Sequence, residues 1–318
     1  MAAEALVTID VLVVFPNRPK AMAQLEAAYT LHHLWQAADP EKLLDEVGPR
    51  IRAAVSTGEK GLTAAQIAKL PRLEIVSCFG VGIDAIDRKA CAARNIPITN
   101  TPDVLTDEVA DMGLVLLLSL LRDIPGGDRH VRSGQWLKGA MPLTTCARGK
   151  KLGILGLGRI GKALARRAEV IGMQVAYHGR ARQADVAYPY FDSLVGLAKD
   201  SDVLALCCPG GAETRGLVDA AVLEALGPEG YLVNVARGSV CDEPAVVDAL
   251  VNRKIKAAAL DVFADEPRVP QALLGLDNVI LQPHAASATV ETRDAMAQLV
   301  VDNLAAHFAG KPLLTPFR

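Results

Sequence analysis

The chain has 318 residues, of which 34 are basic and 36 acidic, and its formal net charge is −2. That balance gives no overall attraction to nucleic acid or to an anionic membrane surface. Hydrophobic residues make up 51% of the chain, which excludes disorder over most of its length. At one domain per ~150 residues, the length predicts two domains. No apolar stretch approaches the ~20 residues of a membrane span, so we expect no membrane partner.

The cysteines and the first residues predict a reduced, cytoplasmic protein. No two cysteines have the C-x-x-C spacing of a zinc or redox site, and no cluster of metal-ligating residues has ligand spacing, so no metal is predicted. The start, Met-Ala-Ala-Glu-Ala, lacks the basic region that precedes the apolar core of a signal peptide. The six cysteines are Cys78, Cys91, Cys146, Cys207, Cys208 and Cys241.

Short apolar runs alternate with helical segments over the first hundred residues. This first set of predicted strands comprises Val7 to Phe15, Ala53 to Ser56, Ile75 to Cys78 and Ile96 to Thr99. Pro102 ends the set, and Val104 to Leu121 is predicted as one long helix with acidic residues in its early turns, where the helix dipole favours them. The next segment, Pro125 to Lys150, has weak periodicity and is predicted to be an irregular excursion that carries Trp136.

A second set of short apolar strands follows, again separated by helices. Because the strands of both sets are apolar throughout, they belong in parallel sheets covered by helices on both faces. The fold class is therefore α/β with two sheets, and the chain is predicted to end in a helix from Ala288 to Ala309. The second set comprises Lys151 to Leu155, Gln174 to Tyr177, Val203 to Cys208, Tyr231 to Val235, Ala257 to Val262 and Val279 to Leu281.

The segment Gly156-Leu157-Gly158-Arg159-Ile160-Gly161 follows a predicted strand and opens a predicted helix. In that context, a G-x-G-x-x-G pattern predicts a dinucleotide site. The first glycine permits a tight turn, the second lets the backbone approach a pyrophosphate, and the third lets the helix pack closely on the strand. The N–H groups at the start of the helix attract the phosphate anions.

The end of the next strand predicts which dinucleotide is preferred. An acidic residue ~20 positions after the glycines would bind the ribose 2′-hydroxyl of NAD. Here Gly179 occupies that region with Arg180 and Arg182 beside it, and the first carboxylate is Asp185. Guanidinium groups suit the 2′-phosphate of NADP, so we expect NADP(H) to be preferred and NAD(H) to be possible. The alternative is that both arginines are solvated surface charges.

Three further segments follow the glycine turn in a distinctive order. They are Leu232 to Ser239, Leu260 to Pro267 and Gln282 to Ser287, and with the glycines they resemble the D-isomer-specific 2-hydroxyacid dehydrogenase family. The resemblance covers essentially the whole chain, including Phe79 to Asp84 and Asn100 to Pro102 in the first half. Within the family the chain is most similar to glyoxylate/hydroxypyruvate reductases, and the hydroxyphenylpyruvate reductases of plants resemble it in the same features.

The resemblance implies a layout of two Rossmann-like domains with parallel sheets. Residues 1–101 and 287–318 would form a flavodoxin-like substrate domain, and residues 102–286 would form the inserted dinucleotide-binding domain. The same resemblance implies a homodimer, in which the excursion around Trp136 reaches over the second subunit.

The resemblance also implies the roles of individual residues. His284 would be the acid/base, Glu266 would orient it and favour the imidazolium, and Arg237 would hold the substrate carboxylate. Backbone N–H groups around Val81 and Gly82 would complete the carboxylate site, with Thr57 and Gly58 nearby. Asp261 would bind the nicotinamide carboxamide. The remaining residues expected along the cofactor groove are Cys208, Pro209, Thr214, Val235, Ala236 and Ala286.

The expected function is NADPH-dependent reduction of small 2-keto acids, such as glyoxylate and hydroxypyruvate, to D-2-hydroxy acids. One alternative is a non-catalytic, dinucleotide-sensing binding protein, as in the corepressors of this family. Another is a dehydrogenase for a different 2-hydroxy acid, such as hydroxyphenyllactate. A formate or phosphite dehydrogenase would need further groups that the sequence does not contain. Two hypotheses for Trp136 stay open: it closes the substrate pocket of the partner, or it only anchors the excursion there.

Overall fold

The computed structural model describes residues 8–317, which divide into two compact units. The first unit comprises the residues up to Leu105 together with those from Thr289 onward, and the second runs from Thr106 to Ala288. Both units are α/β, each with one parallel sheet. Among residues 8–317, no helix combines the length and the apolar character needed to cross a bilayer.

The first unit contains a five-stranded parallel sheet in the order β2-β1-β3-β4-β5, the order of flavodoxin-like folds. Its strands are β1 (Asp10–Val13), β2 (Thr30–His33), β3 (Ile51–Thr57), β4 (Ile75–Phe79) and β5 (Ile98–Thr99). Its helices are α1 (Pro19–Ala28), α2 (Pro40–Val47), α3 (Ala64–Ala68), α4 (Arg88–Ala93) and α12 (Val290–Phe308).

Alternating residues of β1 show why this sheet is covered on both faces. Val11 and Val13 pack with Leu25 of α1 and Leu304 of α12, whereas Leu12 faces the opposite cluster. All of these side chains are fully buried. A strand with two buried faces has no polar side to alternate with, which is why the sequence shows a continuous apolar run there.

The second unit contains a six-stranded parallel sheet in the order β11-β10-β9-β8-β6-β7. A single parallel bridge from Tyr190 to Tyr177 adds a further chain segment beyond β7. Its strands are β6 (Lys151–Leu155), β7 (Gln174–His178), β8 (Val203–Leu206), β9 (Tyr231–Asn234), β10 (Ala257–Leu260) and β11 (Val279–Leu281). Its helices are α5 (Thr106–Leu121), α6 (Ile124–Arg132), α7 (Arg159–Val170), α8 (Leu194–Asp200), α9 (Ala220–Leu226), α10 (Glu243–Val251) and α11 (Gln271–Leu274).

Two sequence-based expectations were wrong at the level of elements. The strand β2 was not predicted, because its four residues, none of them buried and two of them histidines, lack an apolar signal. The segment after Pro125 is not irregular at its start, since α6 occupies it. Asp123 caps that helix by accepting a hydrogen bond from Gly126 N at 3.0 Å. Val7, the first residue of one predicted strand, lies outside the described residues.

Candidate active site

The predicted site residues of the second unit follow the carboxyl ends of its strands. Because all six strands are parallel, these ends lie along one edge of the sheet, where α/β proteins bind their ligands. The glycine turn follows β6, Gly179 follows β7 and Arg237 follows β9. Asp261 directly follows β10, and His284 comes three residues after β11.

The glycine turn has room where a pyrophosphate would need it. Gly156 has φ +92°, and a Cβ there would lie 2.6 Å from Cys208 Cα, so only glycine fits. A Cβ on Gly161 would lie 2.3 Å from the Gly156 carbonyl oxygen, which confirms the close packing of α7 on the turn. A Cβ on Gly158, by contrast, would meet nothing within 4 Å. The backbone is therefore open at Gly158, next to the first turn of α7.

The region after β7 offers positive charge at the surface. Arg180 and Arg182 are both exposed, and neither forms an ion pair with another residue of the range 8–317. Asp185 is already engaged, because Lys162 Nζ lies 2.7 Å from its Oδ2. A Cβ on Gly179 would meet nothing within 4 Å, so a side chain has space there.

The groove residues predicted around β8 and β9 are mostly buried. Val235 and Ala236 are buried, and Thr214 Oγ1 donates a hydrogen bond to Pro209 O at 2.8 Å. Cys208 lies directly against the glycine turn. Burial raises the pKa of its thiol to about 11, so the Cys208 side chain is uncharged at neutral pH.

Arg237 is held by a residue that the sequence reasoning missed. Asn234, the last residue of β9, is 1% exposed and accepts a hydrogen bond from Ala236 N at 3.0 Å. Its Nδ2 donates to Arg237 O at 3.2 Å. The side chain thus closes the short turn from which Arg237 projects. A polar residue at the end of an otherwise apolar strand was the available signal.

Glu266 and His284 form a hydrogen-bonded pair. His284 Nδ1 lies 2.7 Å from Glu266 Oε2, and Phe263 N donates to Glu266 Oε1 at 2.9 Å. Burial raises the pKa of Glu266, but the hydrogen bonds from His284 and Phe263 outweigh it. The charge of Arg237 acts in the same direction, and the pKa of Glu266 lies below its ordinary value. The carboxylate is therefore ionised at neutral pH, with both oxygens engaged.

The backbone of His284 is held as firmly as its ring. His284 has φ +53°, a left-handed conformation that is uncommon for residues other than glycine. His284 N donates to Asp261 O at 2.8 Å. The two Asp261 carboxylate oxygens accept hydrogen bonds from Ala285 N at 2.8 Å and Ala286 N at 3.1 Å. Burial raises the pKa of Asp261, and these two N–H groups oppose that rise.

The predicted substrate residues outside this sheet belong to the first unit. Thr57 ends β3, and its Oγ1 accepts a hydrogen bond from Lys60 N at 2.9 Å, which tightens the turn containing Gly58. Val81 and Gly82 follow β4 in a loop that begins at Gly80, where φ is +147°. A Cβ on Gly80 would lie 3.4 Å from Gly58 N, so the two loops are neighbours.

Trp136 lies in a short 3₁₀ turn of the second unit, residues 135–137, after α6. Its side chain is 67% exposed, and the adjacent Leu137 is 94% exposed. Ile124 and Val131 of α6 are also exposed. Apolar side chains concentrated in one surface segment are typical of a contact region.

The chain is similar to known proteins over nearly its whole length. Residues 114–286 match the family model described as the D-isomer specific 2-hydroxyacid dehydrogenase, NAD binding domain. A glyoxylate/hydroxypyruvate reductase A of Arabidopsis thaliana is 48% identical over 97% of this chain and 99% of its own length. A hydroxyphenylpyruvate reductase of Plectranthus scutellarioides is 46% identical over 97% of this chain and 98% of its own.

One solved structure is similar across both units. It is an NADPH-dependent glyoxylate/hydroxypyruvate reductase from Sinorhizobium meliloti in complex with NADP and malonate. It is 42% identical, covers 97% of this chain and 96% of its own, and has a TM-score of 0.89.

A parallel sheet with an open glycine turn at its carboxyl edge, in a chain that matches an NAD binding domain and known reductases, defines a nicotinamide dinucleotide-dependent oxidoreductase. The chain belongs to the D-isomer-specific 2-hydroxyacid dehydrogenase family, as its sequence motifs predicted.

Proposed function

We propose that this protein reduces small 2-keto acids, glyoxylate and hydroxypyruvate among them, to D-2-hydroxy acids with NADPH. The observation that carries the proposal is the 2.7 Å contact between Glu266 and His284, beside the charge of Arg237. Reduction of a keto acid needs a proton donor for the forming alkoxide and a cation for the carboxylate. These three residues supply both.

His284 is the proposed proton donor. With Nδ1 directed at the Glu266 carboxylate, Nε2 is the ring nitrogen proposed to pass the proton to the substrate oxygen. Glu266 accepts the hydrogen bond from Nδ1 and so fixes the orientation of the ring. Arg237 is proposed to hold the substrate carboxylate through its planar guanidinium, a geometry that lysine does not reproduce.

The proposed cofactor site runs along the carboxyl edge of the second sheet. Gly158 and the start of α7 would hold the pyrophosphate, and Arg180 with Arg182 would hold the 2′-phosphate. When bound there, the reduced nicotinamide supplies the hydride for the substrate carbonyl. Asp261 is proposed to accept a hydrogen bond from the carboxamide. Each of its carboxylate oxygens already accepts one backbone hydrogen bond and has a second lone pair for this contact. The other proposed cofactor residues are Gly156, Leu157, Arg159, Ile160, Gly161, Gly179, Cys208, Pro209, Thr214, Val235, Ala236 and Ala286.

The same proposal assigns roles to the larger parts of the chain. Residues 102–286 serve as the cofactor domain, and residues 1–101 with 287–318 serve as the substrate domain. Thr57, Gly58 and the amides of Val81 and Gly82 belong to the carboxylate site. The exposed apolar segment around Trp136 supports a homodimer. The free cysteines are compatible with a cytoplasmic location.

A bulkier substrate is the second candidate, because a hydroxyphenylpyruvate reductase is nearly as similar to the chain as the glyoxylate/hydroxypyruvate reductase. Steady-state kinetics with glyoxylate, hydroxypyruvate and hydroxyphenylpyruvate, each with NADPH and with NADH, separate the candidates. The proposal expects the highest kcat/KM for the two small acids with NADPH. Dominant turnover of hydroxyphenylpyruvate would favour the second candidate, and no turnover of any 2-keto acid would refute both.

His284→Ala tests the role of His284 in those assays. It removes only the proton donor, so NADPH binding, measured by the fluorescence of the reduced nicotinamide, should survive. Turnover should fall by ~10²–10⁴-fold, the usual contribution of general acid catalysis. A variant that kept more than about a tenth of the wild-type kcat would contradict the role of His284.

A further inference from the structure

The loop Gly80 to Gly82 of the first unit has all three of its carbonyl groups engaged. Thr101 N donates to Gly80 O at 2.9 Å, and Asn100 Nδ2 donates to Val81 O at 2.9 Å. Cys78 Sγ lies 3.7 Å from Gly82 O, a weak hydrogen bond from a thiol. Thr101 also accepts a hydrogen bond from Gly80 N through Oγ1 at 3.0 Å. The loop is therefore fastened on its carbonyl side.

This fastening determines where the N–H groups of the loop are directed. In a planar trans peptide the N–H is directed opposite to the carbonyl of the preceding residue. The N–H groups of Val81, Gly82 and Ile83 are therefore directed away from Thr101, Asn100 and Cys78. None of the three donates a hydrogen bond to another residue of the described range 8–317. Successive outward N–H groups form a concave site that attracts anions.

Asn100 itself is supported from the C-terminal part of the chain. It is 7% exposed and directly follows β5. Thr315 Oγ1 donates to Asn100 O at 2.6 Å, and Asn100 N donates to Thr315 O at 3.3 Å. Asn303 of α12 is fully buried and donates through Nδ2 to Thr315 Oγ1 at 2.9 Å. A continuous series of hydrogen bonds thus connects α12 to the Val81 carbonyl.

We propose that Asn100 is a positioning residue for the substrate carboxylate, because its hydrogen bond to the Val81 carbonyl oxygen directs the Gly82 N–H outward. The inference rests on the proposed function, in which this loop binds the carboxylate. Without the Asn100 donor, the peptide between Val81 and Gly82 is free to rotate, and the rotation replaces an N–H with a carbonyl oxygen. That oxygen repels a carboxylate. Asn100 does not touch the substrate and acts only through the loop.

The amide of Asn100 is suited to this task because it donates without carrying charge. A positively charged donor in so buried a position would need a counter-ion. An aspartate would place an acceptor against the Val81 carbonyl oxygen. The nearby buried Thr99 has no such task, since its Oγ1 donates to Ser77 Oγ at 2.9 Å.

The test compares Asn100→Ala with Thr99→Val, two adjacent buried positions that each lose one hydrogen bond. In Asn100→Ala, we expect KM for glyoxylate to rise about tenfold, as for a lost hydrogen bond to a charged group. The inhibition constant of oxamate, a carboxylate that is not reduced, should rise equally. The kcat and the KM for NADPH should stay within about twofold, since an interaction made equally with substrate and transition state affects KM alone. Thr99→Val should lower the melting temperature and leave KM unchanged.

Thr315→Val provides a milder variant that keeps the side-chain volume and removes the two hydrogen bonds of Oγ1, to Asn100 O and from Asn303 Nδ2. It should raise KM for glyoxylate and the oxamate constant in the same direction, by about threefold. If Asn100→Ala does not fold, Thr315→Val decides the question. Unchanged KM and oxamate constants in the folded variants would overturn the inference, as would a loss of kcat and melting temperature alone. If wild-type protein reduces no 2-keto acid, the proposed function fails, whereas oxamate binding to the NADPH complex still tests Asn100.

Discussion

His284 is constrained through both its ring and its backbone. The ring is fixed by Glu266, and the left-handed backbone conformation is kept by the hydrogen bonds to Asp261. A residue in a sparsely populated backbone conformation persists only where its surroundings enforce it. The order of motifs predicted His284, Glu266 and Arg237. It did not predict that Asp261 also fixes the turn after His284, because that contact joins residues 24 positions apart through backbone N–H groups.

The pair of Glu266 and His284 makes a prediction about pH. Glu266→Gln replaces the carboxylate that orients the His284 ring, so kcat/KM for reduction should fall. The pKa of Glu266 is depressed in the folded protein. Its charge therefore stabilises the fold above the ordinary glutamate pKa, and this contribution is lost as the pH falls through the folded value. The stability difference between wild type and variant should be largest near neutrality and vanish in acid.

Two measurements check this prediction, a pH–rate profile and denaturant unfolding at several pH values. Asp265→Asn is the matched control, because Asp265 lies next to Glu266 but pairs with the exposed Arg268. It should change neither kcat/KM for reduction nor the pH dependence of stability by a comparable amount. An unchanged kcat/KM in Glu266→Gln would show that Glu266 has no part in the proton transfer.

Cofactor choice is a second prediction at this scale. Gly179→Asp combined with Arg180→Ala should shift the ratio of the NADPH and NADH kcat/KM values toward NADH. The new carboxylate repels a 2′-phosphate and accepts from a ribose hydroxyl, and the removed arginine no longer attracts the phosphate. The open space around Gly179 accommodates the side chain. An unchanged ratio would show that the 2′-phosphate is recognised elsewhere.

Secondary structure elements differed in how well the sequence predicted them. All six strands of the second sheet were predicted, since each is a short, mostly apolar run, and β8, β9 and β10 are buried throughout. The four-residue β2 was missed, as only Leu31 in it is strongly apolar. The α6 helix was missed for a different reason. Its sequence, Ile124 to Arg132, has a proline, two glycines and only two large apolar residues, so its helical signal is weak.

The strand-turn-helix at the glycines makes a prediction that separates folding from binding. Gly156→Ala should destabilise the protein strongly, because its Cβ would lie 2.6 Å from Cys208 Cα at a positive φ. Gly158→Ala should fold normally, because its Cβ meets nothing within 4 Å. It should nevertheless weaken NADPH binding, since the methyl group would occupy the space of the pyrophosphate.

Thermal unfolding and NADPH titration of both variants test this assignment. The expected pattern is a lowered melting temperature only in Gly156→Ala and a raised NADPH dissociation constant in Gly158→Ala at normal stability. Gly275→Ala provides a control for glycine replacement at an open position, since nothing lies within 4 Å of its Cβ either. Normal NADPH affinity in Gly158→Ala would place the pyrophosphate away from this turn.

At the scale of the whole molecule, motif order was informative and long-range hydrogen bonding was not. The three segments around Arg237, Glu266 and His284 indicated the family because their order and spacing can be seen directly in one stretch of the sequence. Asn100 gives no such signal. Its task depends on Thr315, which is 215 positions away, and on a carbonyl 19 positions before it. Contacts of this kind appear only once the chain has folded.

The assembly of the molecule supplies the last prediction. Wild-type protein should be a twofold homodimer by light scattering, the commonest oligomeric state, with the exposed segment around Trp136 at the contact. If Trp136 closes the substrate pocket of the partner, Trp136→Ala should remain a dimer and its kcat/KM for glyoxylate should fall relative to that for hydroxyphenylpyruvate. The adjacent and even more exposed Leu137 provides the control. Leu137→Ala should leave the substrate profile unchanged.

The two hypotheses for Trp136 then have different outcomes. If its indole closes the partner's pocket, its removal in Trp136→Ala leaves space for substrates with larger side chains. Small substrates are then no longer shielded from water. If it only anchors the segment, Trp136→Ala gives either monomers or a dimer with an unchanged profile, and Leu137→Ala behaves in the same way. A monomeric wild type would contradict both hypotheses, because an apolar segment without a partner subunit has no pocket to close and no surface to hold.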